Sequence, residues 1–370
     1  MKYYFIAGER SGDLHCANLY KAIKEIDYEA VATGIGGGFM HDAGVSLVKN
    51  YEELAVIGFW EILEKLGDIR AALKQVKREL AENKPDVLIL VDYAGFNLRV
   101  AKFAKRLGIK VFYYISPKIW AWNVNRAKVI KAYVDRMFVI LPFEKDFYKT
   151  FDYEVDYIGN PILDAIQEFK PNPNFLKDNS LEDKPIIAIL PGSRKGEIES
   201  TLFRMLTILP SFPNHQFVVA GVDNFPARYY ENFRRNGLVH IVYEQTYDLL
   251  KNAEMAIVTS GTATLETALF KVPQIVVYRV SVLSYWIIKL LIKVPFISLV
   301  NLIANKKVVS ELIQGEFIPA NIRSEMNKIK MGEAGRIEIL KGYDEIAEKI
   351  GKPGASKRAA ELIVKYLKSN

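Results

Sequence analysis

Cysteine is almost absent from this chain: Cys16 is the only one in 370 residues, which excludes an internal disulfide framework. Histidine is scarce as well, and its four copies show no HxxH or CxxC spacing, so neither a structural nor a catalytic zinc is expected. The uncharged apolar runs fall short of the ~20 residues that span a bilayer. The opening MKYYFIAG lacks the long apolar region and small-residue cleavage site of an export signal, so a cytoplasmic location is expected. The net charge is +7, but lysine and arginine are spread along the chain without a zinc-finger, RRM or basic-zipper pattern; no nucleic-acid partner is expected. GxGxxG is also missing. In GIGGGF, Phe39 stands where the last glycine would belong, and Gly8 to Gly12 has the wrong spacing, which argues against a nicotinamide dehydrogenase.

What is present is the balance of a folded protein, half hydrophobic and a quarter charged, in a chain long enough for two cored domains. Short apolar strands alternate with helical stretches, and they do so twice. KYYFIAG, AVATGIG, DVLILVD, VFYYIS and MFVIL read as buried strands in the first half; IIAILPG, FVVAGV, HIVYE, MAIVTS and QIVVY repeat the scheme in the second. Two α/β domains with parallel sheets follow. The polar, proline-bearing segment 168–185 marks the join, and Gly351-Lys-Pro-Gly354 breaks the chain before a last helix with Ala359, Leu362, Ile363, Tyr366 and Leu367 on one face. The expected division is residues 1–167 with 351–370, the last helix crossing back, and residues 168–350.

In open parallel sheets ligands sit beyond the carboxyl ends of the strands, so the strand-to-loop junctions carry the chemistry. In IAGERSGDLH, residues 6–15, Ser11 or Asp13 can cap the following helix, and the exposed amides near Gly8, Glu9 and Gly12 can receive a phosphate or sugar hydroxyl; a capped tight turn is the alternative. The glycines of residues 34–38, Gly36 and Gly37 among them, let a ligand approach the backbone. In VDYAGFN a single carboxylate, Asp92, ends a very apolar strand, as a general base or as a helix cap. In LPGSRKGEIES, Gly192 and Ser193 can offer donors and Arg194 can fork onto a diphosphate, unless it is a surface arginine on a turn. In SGTATLE, Ser260, Gly261 and Thr262 open a helix whose N–H groups favour phosphate oxygens; Glu266 offsets the dipole or accepts from ribose hydroxyls.

AGERSGD, GIGG, ELAVIGFWE, the D-x-x-x-F-N of VDYAGFN, ISPKIWAW, LPFEK, IGNP, LPGSR and SGTATLE, in this order over residues 4–315, resemble the motifs of the lipid-A-disaccharide synthases. That resemblance implies a GT-B glycosyltransferase, with two doubly wound Rossmann-like domains facing a central cleft. It implies inverting transfer of the acylated sugar of UDP-2,3-diacylglucosamine to 2,3-diacylglucosamine 1-phosphate, giving the β-1,6 disaccharide of lipid A and UDP. Asp92 matches the catalytic base; Asn301 and Glu311 match positions near the nucleotide. Gly8, Glu9, Ser11, Gly12, Asp13, Gly36, Gly37, Asn97, Ser116, Trp120 and Trp122 fall on the acceptor or sugar side. Arg126 and Lys128 follow the two tryptophans, which packing would equally explain. The resemblance also implies a dimer whose carboxyl-terminal segments exchange. This chain departs from the usual pattern at Ala94, often proline in relatives, and at Val300 in SLVN, where SLPN is usual. No DxD ends any of the strands read here, so metal-independent transfer without a cofactor is expected. A soluble UDP-sugar epimerase, a peptidoglycan glycosyltransferase and a non-catalytic lipid carrier are the other readings.

Acyl chains need apolar surface outside a sugar pocket. Residues 55–66, with Ile57, Phe59, Trp60 and Leu63, and residues 277–304, with Trp286, Ile287 and Leu290, can supply it at the cytoplasmic face of the inner membrane, or can be buried core helices.

Overall fold

The computed structural model describes residues 1–51, 66–223, 225–226, 228–234, 237–281, 285 and 294–369. They form two compact units, Met1–Asp164 with Lys352–Asn370, and Ala165–Gly351.

The first unit holds a parallel sheet of β1 (Lys2–Ala7), β2 (Val31–Gly36), β3 (Ser46–Asn50), β4 (Val87–Val91), β5 (Lys110–Tyr114), β6 (Arg136–Val139) and β7 (Asp156–Tyr157), in the order 3-2-1-4-5-6-7. Strand residues alternate between two cores. Tyr3, Phe5, Val87, Ile89 and Val91 join Cys16, Leu19 and Ile23 of the helix Arg10–Ile26. Tyr4, Ile6, Leu88 and Leu90 join Val76 and Leu80 of helix Leu66–Asn83 and Val100, Ala101 and Ala104 of helix Ala94–Arg106. With both faces covered, the central strands have no polar face, and VLILV is fully buried.

The last helix, Ala355–Lys368, returns to this unit and lays Ala359, Ala360, Ile363 and Val364 into the first of those cores. Its start is fixed by Asp164, whose carboxylate accepts from the N–H groups of Gly354, Ala355 and Ser356. Arg358 donates to the carbonyls of Ile158, Pro353 and Lys352.

The second unit repeats the plan with β8 (Ile186–Leu190), β9 (Gln216–Gly221), β10 (Val239–Tyr243), β11 (Ala253–Thr259), β12 (Gln274–Tyr278) and β13 (Ser310–Ile313), all parallel, in the order 10-9-8-11-12-13. Three strands, β3, β7 and β13, go beyond the ten that apolar runs mark out. Each lies at a sheet edge and is at most partly buried over most of its length, so it carries no continuous hydrophobic run.

In each sheet the chain leaves two neighbouring strands in opposite directions, β1 and β4 in the first unit and β8 and β11 in the second. These are the topological switch points, where a crevice opens outside the strand ends.

Candidate active site

Asp92 lies at the first switch point. It follows Val91, whose register partner in β1 is Ala7. Asp92 and Tyr93 both adopt left-handed backbone, φ 47° and 37°, which non-glycine residues hold only under constraint. The constraint is visible. The Asn97 side-chain amide donates to the carbonyls of Val91 at 2.9 Å and Asp92 at 3.0 Å, and the Tyr113 hydroxyl donates to the same Asp92 carbonyl. The Tyr93 ring stacks on Phe96 and lies over Gly8, where an added Cβ would be 2.7 Å from the ring. Gly8 is thus needed for close packing of one loop on the other.

The Asp92 carboxylate accepts no hydrogen bond from the described residues. Desolvation by the surrounding protein lifts its pKa to about 6; Lys118, on the loop after β5, draws it down, and Glu9, at the start of helix Arg10–Ile26, pushes it up. A partly accessible carboxylate with a raised pKa and no described hydrogen-bond donor has the chemistry of a proton acceptor.

The neighbouring sequence candidates divide between this site and the scaffold. Helix Arg10–Ile26 begins one residue after Glu9, so Ser11 is an exposed residue of its first turn and Asp13 is no cap for it. That expectation is corrected: Asp13 is buried and its carboxylate accepts from the N–H groups of Gly37 (2.7 Å), Phe39 (3.0 Å) and Met40 (3.1 Å). On the side where a Cβ would stand, Gly36 and Gly37 make room for Asp13, Met40 and Tyr51, and Gly12 packs on Ala7 and Val91. Asn97 is fully buried and spends its amide on the Asp92 turn, which makes it a positioning residue for the carboxylate.

Ser116 and Trp120 belong to a buried network. Ser116 Oγ is 2.8 Å from the Tyr148 hydroxyl, and Trp120 Nε1 donates to Glu144, which also accepts from the N–H groups of Ile140 and Leu141. Burial pushes Glu144 up to about 7 against those donors. Trp122 differs: it is exposed, with the Arg126 guanidinium 4.7 Å from its ring centroid, an aromatic–cation pair open to solvent.

At the second switch point, the turn after β8 carries Gly192 at φ 103°, followed by Ser193 and Arg194, both exposed. Their N–H groups donate to Glu197 of the helix Lys195–Met205. After β11, Ser260 Oγ donates to the Ile297 carbonyl, while the N–H groups of Gly261 and Thr262 have no acceptor among the described residues. Asn301 and Glu311 are spent internally. Glu311 accepts from Ile297 N, Ser298 N, Ser298 Oγ and Asn301 Nδ2, and Asn301 also ties down Val308 and Val309, so both shape the loop beside Ser260.

Glu266 opens onto a cavity of about 330 Å³ lined by Phe169, Glu244, Gln245, Thr246, Tyr247, Asp248 and Glu266 itself. The Tyr247 hydroxyl donates to Glu266 at 3.0 Å, and burial raises the Glu266 pKa in spite of that bond. Phe169, Tyr247 and Phe270 form an aromatic cluster at the cavity. Sequence reading missed this wall. Its signal was the strand HIVY running into the polar turn EQTYD; in the structure Glu244 adopts left-handed backbone at that junction.

Ile57, Phe59, Trp60, Leu63, Trp286, Ile287 and Leu290, assigned to acyl or membrane contact, lie outside the described residues. Among the described residues no helix is long and apolar enough to cross a membrane, and no three His, Cys, Asp or Glu side chains group as a metal site.

Two switch-point sheets with their loop chemistry at the strand ends define the class: a two-domain parallel α/β protein of the GT-B architecture. Solved structures with the same fold include the UDP-GlcNAc 2-epimerase of Neisseria meningitidis bound to UDP-GlcNAc, at TM-score 0.66 and 14% identity, covering 100% of both chains. Another is the glycotransferase of kitacinnamycin, at TM-score 0.66 and 12% identity over 98% of each chain. The sequence is far nearer to other proteins. Residues 3–363 match the Lipid-A-disaccharide synthetase family, and the Lipid-A-disaccharide synthase of Myxococcus xanthus is 39% identical over 369 residues, 98% of this chain and 96% of that protein. The chain belongs to the lipid-A-disaccharide synthetase family, and is a glycosyltransferase of lipid A biosynthesis that uses a UDP-sugar and an acylated glucosamine.

Proposed function

We propose that the protein joins UDP-2,3-diacylglucosamine to 2,3-diacylglucosamine 1-phosphate with inversion, forming the β-1,6 lipid A disaccharide 1-phosphate and UDP. The observation that carries this reading is Asp92: a strained, desolvated carboxylate at a switch point that accepts no hydrogen bond from the described residues. As base it takes the proton of the acceptor 6-hydroxyl as that oxygen attacks the anomeric carbon and the bond to UDP breaks, so a single displacement needs no enzyme-bound sugar. Residues 1–167 with 351–370 serve the acceptor, and residues 168–350 hold the nucleotide. Glu266 receives the ribose hydroxyls in the Tyr247 cavity, while Arg194 and the Gly261–Thr262 amides balance the charge gathering on the departing diphosphate.

The charge on the diphosphate is balanced here by protein groups, and the reaction is written without a metal. Diacylated substrates partition into a bilayer, so the protein works at the membrane surface, peripherally and from the cytoplasm. It works as a homodimer, as the family resemblance implies. The test is incubation with both acylated sugars in excess EDTA, following UDP and disaccharide by mass spectrometry. Stoichiometric UDP and a β-1,6 product are expected. UDP without disaccharide, or turnover that stops with chelation, would contradict the reading.

A further inference from the structure

The turn after β8 is already filled by an anion, and it is the protein's own. Glu197 Oε2 accepts from the N–H groups of Ser193 at 3.2 Å and Arg194 at 3.3 Å, and Glu197 Oε1 lies 3.5 Å from an Arg194 guanidinium nitrogen. Gly192 makes the fit possible: an added Cβ there would be 2.4 Å from Glu197 Oε2 and would expel the carboxylate. A glutamate in the first turn of a helix ordinarily takes the N-cap N–H alone. Here it also takes the preceding amide and pairs with the one guanidinium of the turn, the donor set that a phosphate oxygen would use. Across the switch point the Gly261 and Thr262 amides have no such occupant among the described residues.

Resting on the nucleotide assignment above, we infer that Glu197 is a built-in competitor for the diphosphate site. Its carboxylate occupies the Ser193–Arg194 donors when the site is empty, is displaced when the UDP-sugar binds, and returns as UDP leaves. Two effects then lower UDP affinity. The nucleotide must break the Glu197 hydrogen bonds, and a displaced carboxylate, still in the first turn of helix Lys195–Met205, repels the diphosphate at short range. A group that weakens product binding favours turnover, because transfer leaves UDP in the site that the next UDP-sugar needs.

The experiment is UDP titration of the full chain by calorimetry. Glu197→Gln keeps an acceptor for the helix start but removes the charge, and should bind UDP ~10-fold more tightly, the scale of one charge-assisted hydrogen bond. A purely structural role predicts the opposite: a lower Tm with unchanged or weaker UDP binding. Glu199→Gln, the same charge change at an exposed position paired with Lys195 at 3.9 Å, should alter affinity less than about twofold. If Glu197→Gln fails to fold, Glu197→Asp, too short to reach both amides, should still bind UDP more tightly than the unaltered chain. No gain at position 197, or an equal gain at 199, overturns the inference alone. An unaltered chain that takes up no UDP overturns the nucleotide assignment and the inference with it.

Discussion

At the scale of one residue, Asp92 joins two properties that rarely meet in a side chain. It directly follows a fully buried strand and is itself only partly accessible, and its carboxylate accepts no hydrogen bond from the described residues. Desolvation disfavours the ionised form, and the pKa rises to about 6. A base must be ionised to work, so kcat/KM should climb with pH and level off above an apparent pKa near 6. Removing Lys118, which favours the charge, by Lys118→Met should move that limb upward; Glu9→Gln should move it downward. Asp92→Asn should cost at least ~100-fold in turnover with the fold kept, the usual scale for losing a general base. Near-normal turnover in the folded variant, or a limb that ignores both neighbours, would remove Asp92 from the chemistry. The same sign applies to folding: a carboxyl lifted from 3.8 to about 6 binds its proton more tightly when folded, so its contribution to stability declines as pH rises through that window.

At the scale of elements, the turn that holds Asp92 is a small machine of three parts. Strand β4 delivers it, helix Ala94–Arg106 supplies Asn97, and β5 supplies Tyr113, and both side chains pull on the Asp92 carbonyl. Tyr113→Phe should release part of that hold, and Asn97→Ala most of it, since two carbonyls lose their donor in a buried place, at about 1–3 kcal/mol. Turnover should fall by roughly tenfold and ~100-fold respectively, on the scale of misplacing a reacting group. UDP binding, measured by titration, should be unchanged, because its proposed residues all lie in the other sheet. A loss of UDP binding as large as the loss of turnover would refute this division of labour.

How much was readable without coordinates follows the same local logic. The place of Asp92 at the end of a buried strand was legible because a strand end and its loop are neighbours in sequence. The roles of Asp13, Asn97 and Glu311 were not, because each side chain spends itself on the protein's own backbone, and spacing does not show whose N–H or carbonyl will be near. The central strands announced themselves as apolar runs buried on both faces, while SLVKN, DY and SELI at the edges carry polar residues and give no such run.

At the scale of the whole molecule, the chain builds one sheet, leaves to build a second of the same winding, and returns at Lys352 to complete the first. The returning helix is no ornament. Ile363 is fully buried in the core that also holds Phe5, Ile89 and Phe112, while Tyr366 lies against Phe112 and Phe138 with the Arg136 guanidinium 4.0 Å from its ring centroid. The sheet carrying Asp92 therefore depends on residues some 270 positions later in sequence, whereas the sheet after residue 165 does not. Ile363→Ala should remove buried methylene and methyl groups at a cost of about 2–4 kcal/mol. That loss should appear as faster hydrogen exchange in β1, β4 and β5 and not in β8 or β11. Turnover at elevated temperature should fail before UDP binding does, since opening one unit disturbs the proposed base, Asp92, while the proposed nucleotide residues stay folded. Equal loss of protection in both sheets would mean that the two units unfold as one, and the division read from their cores would have no energetic counterpart.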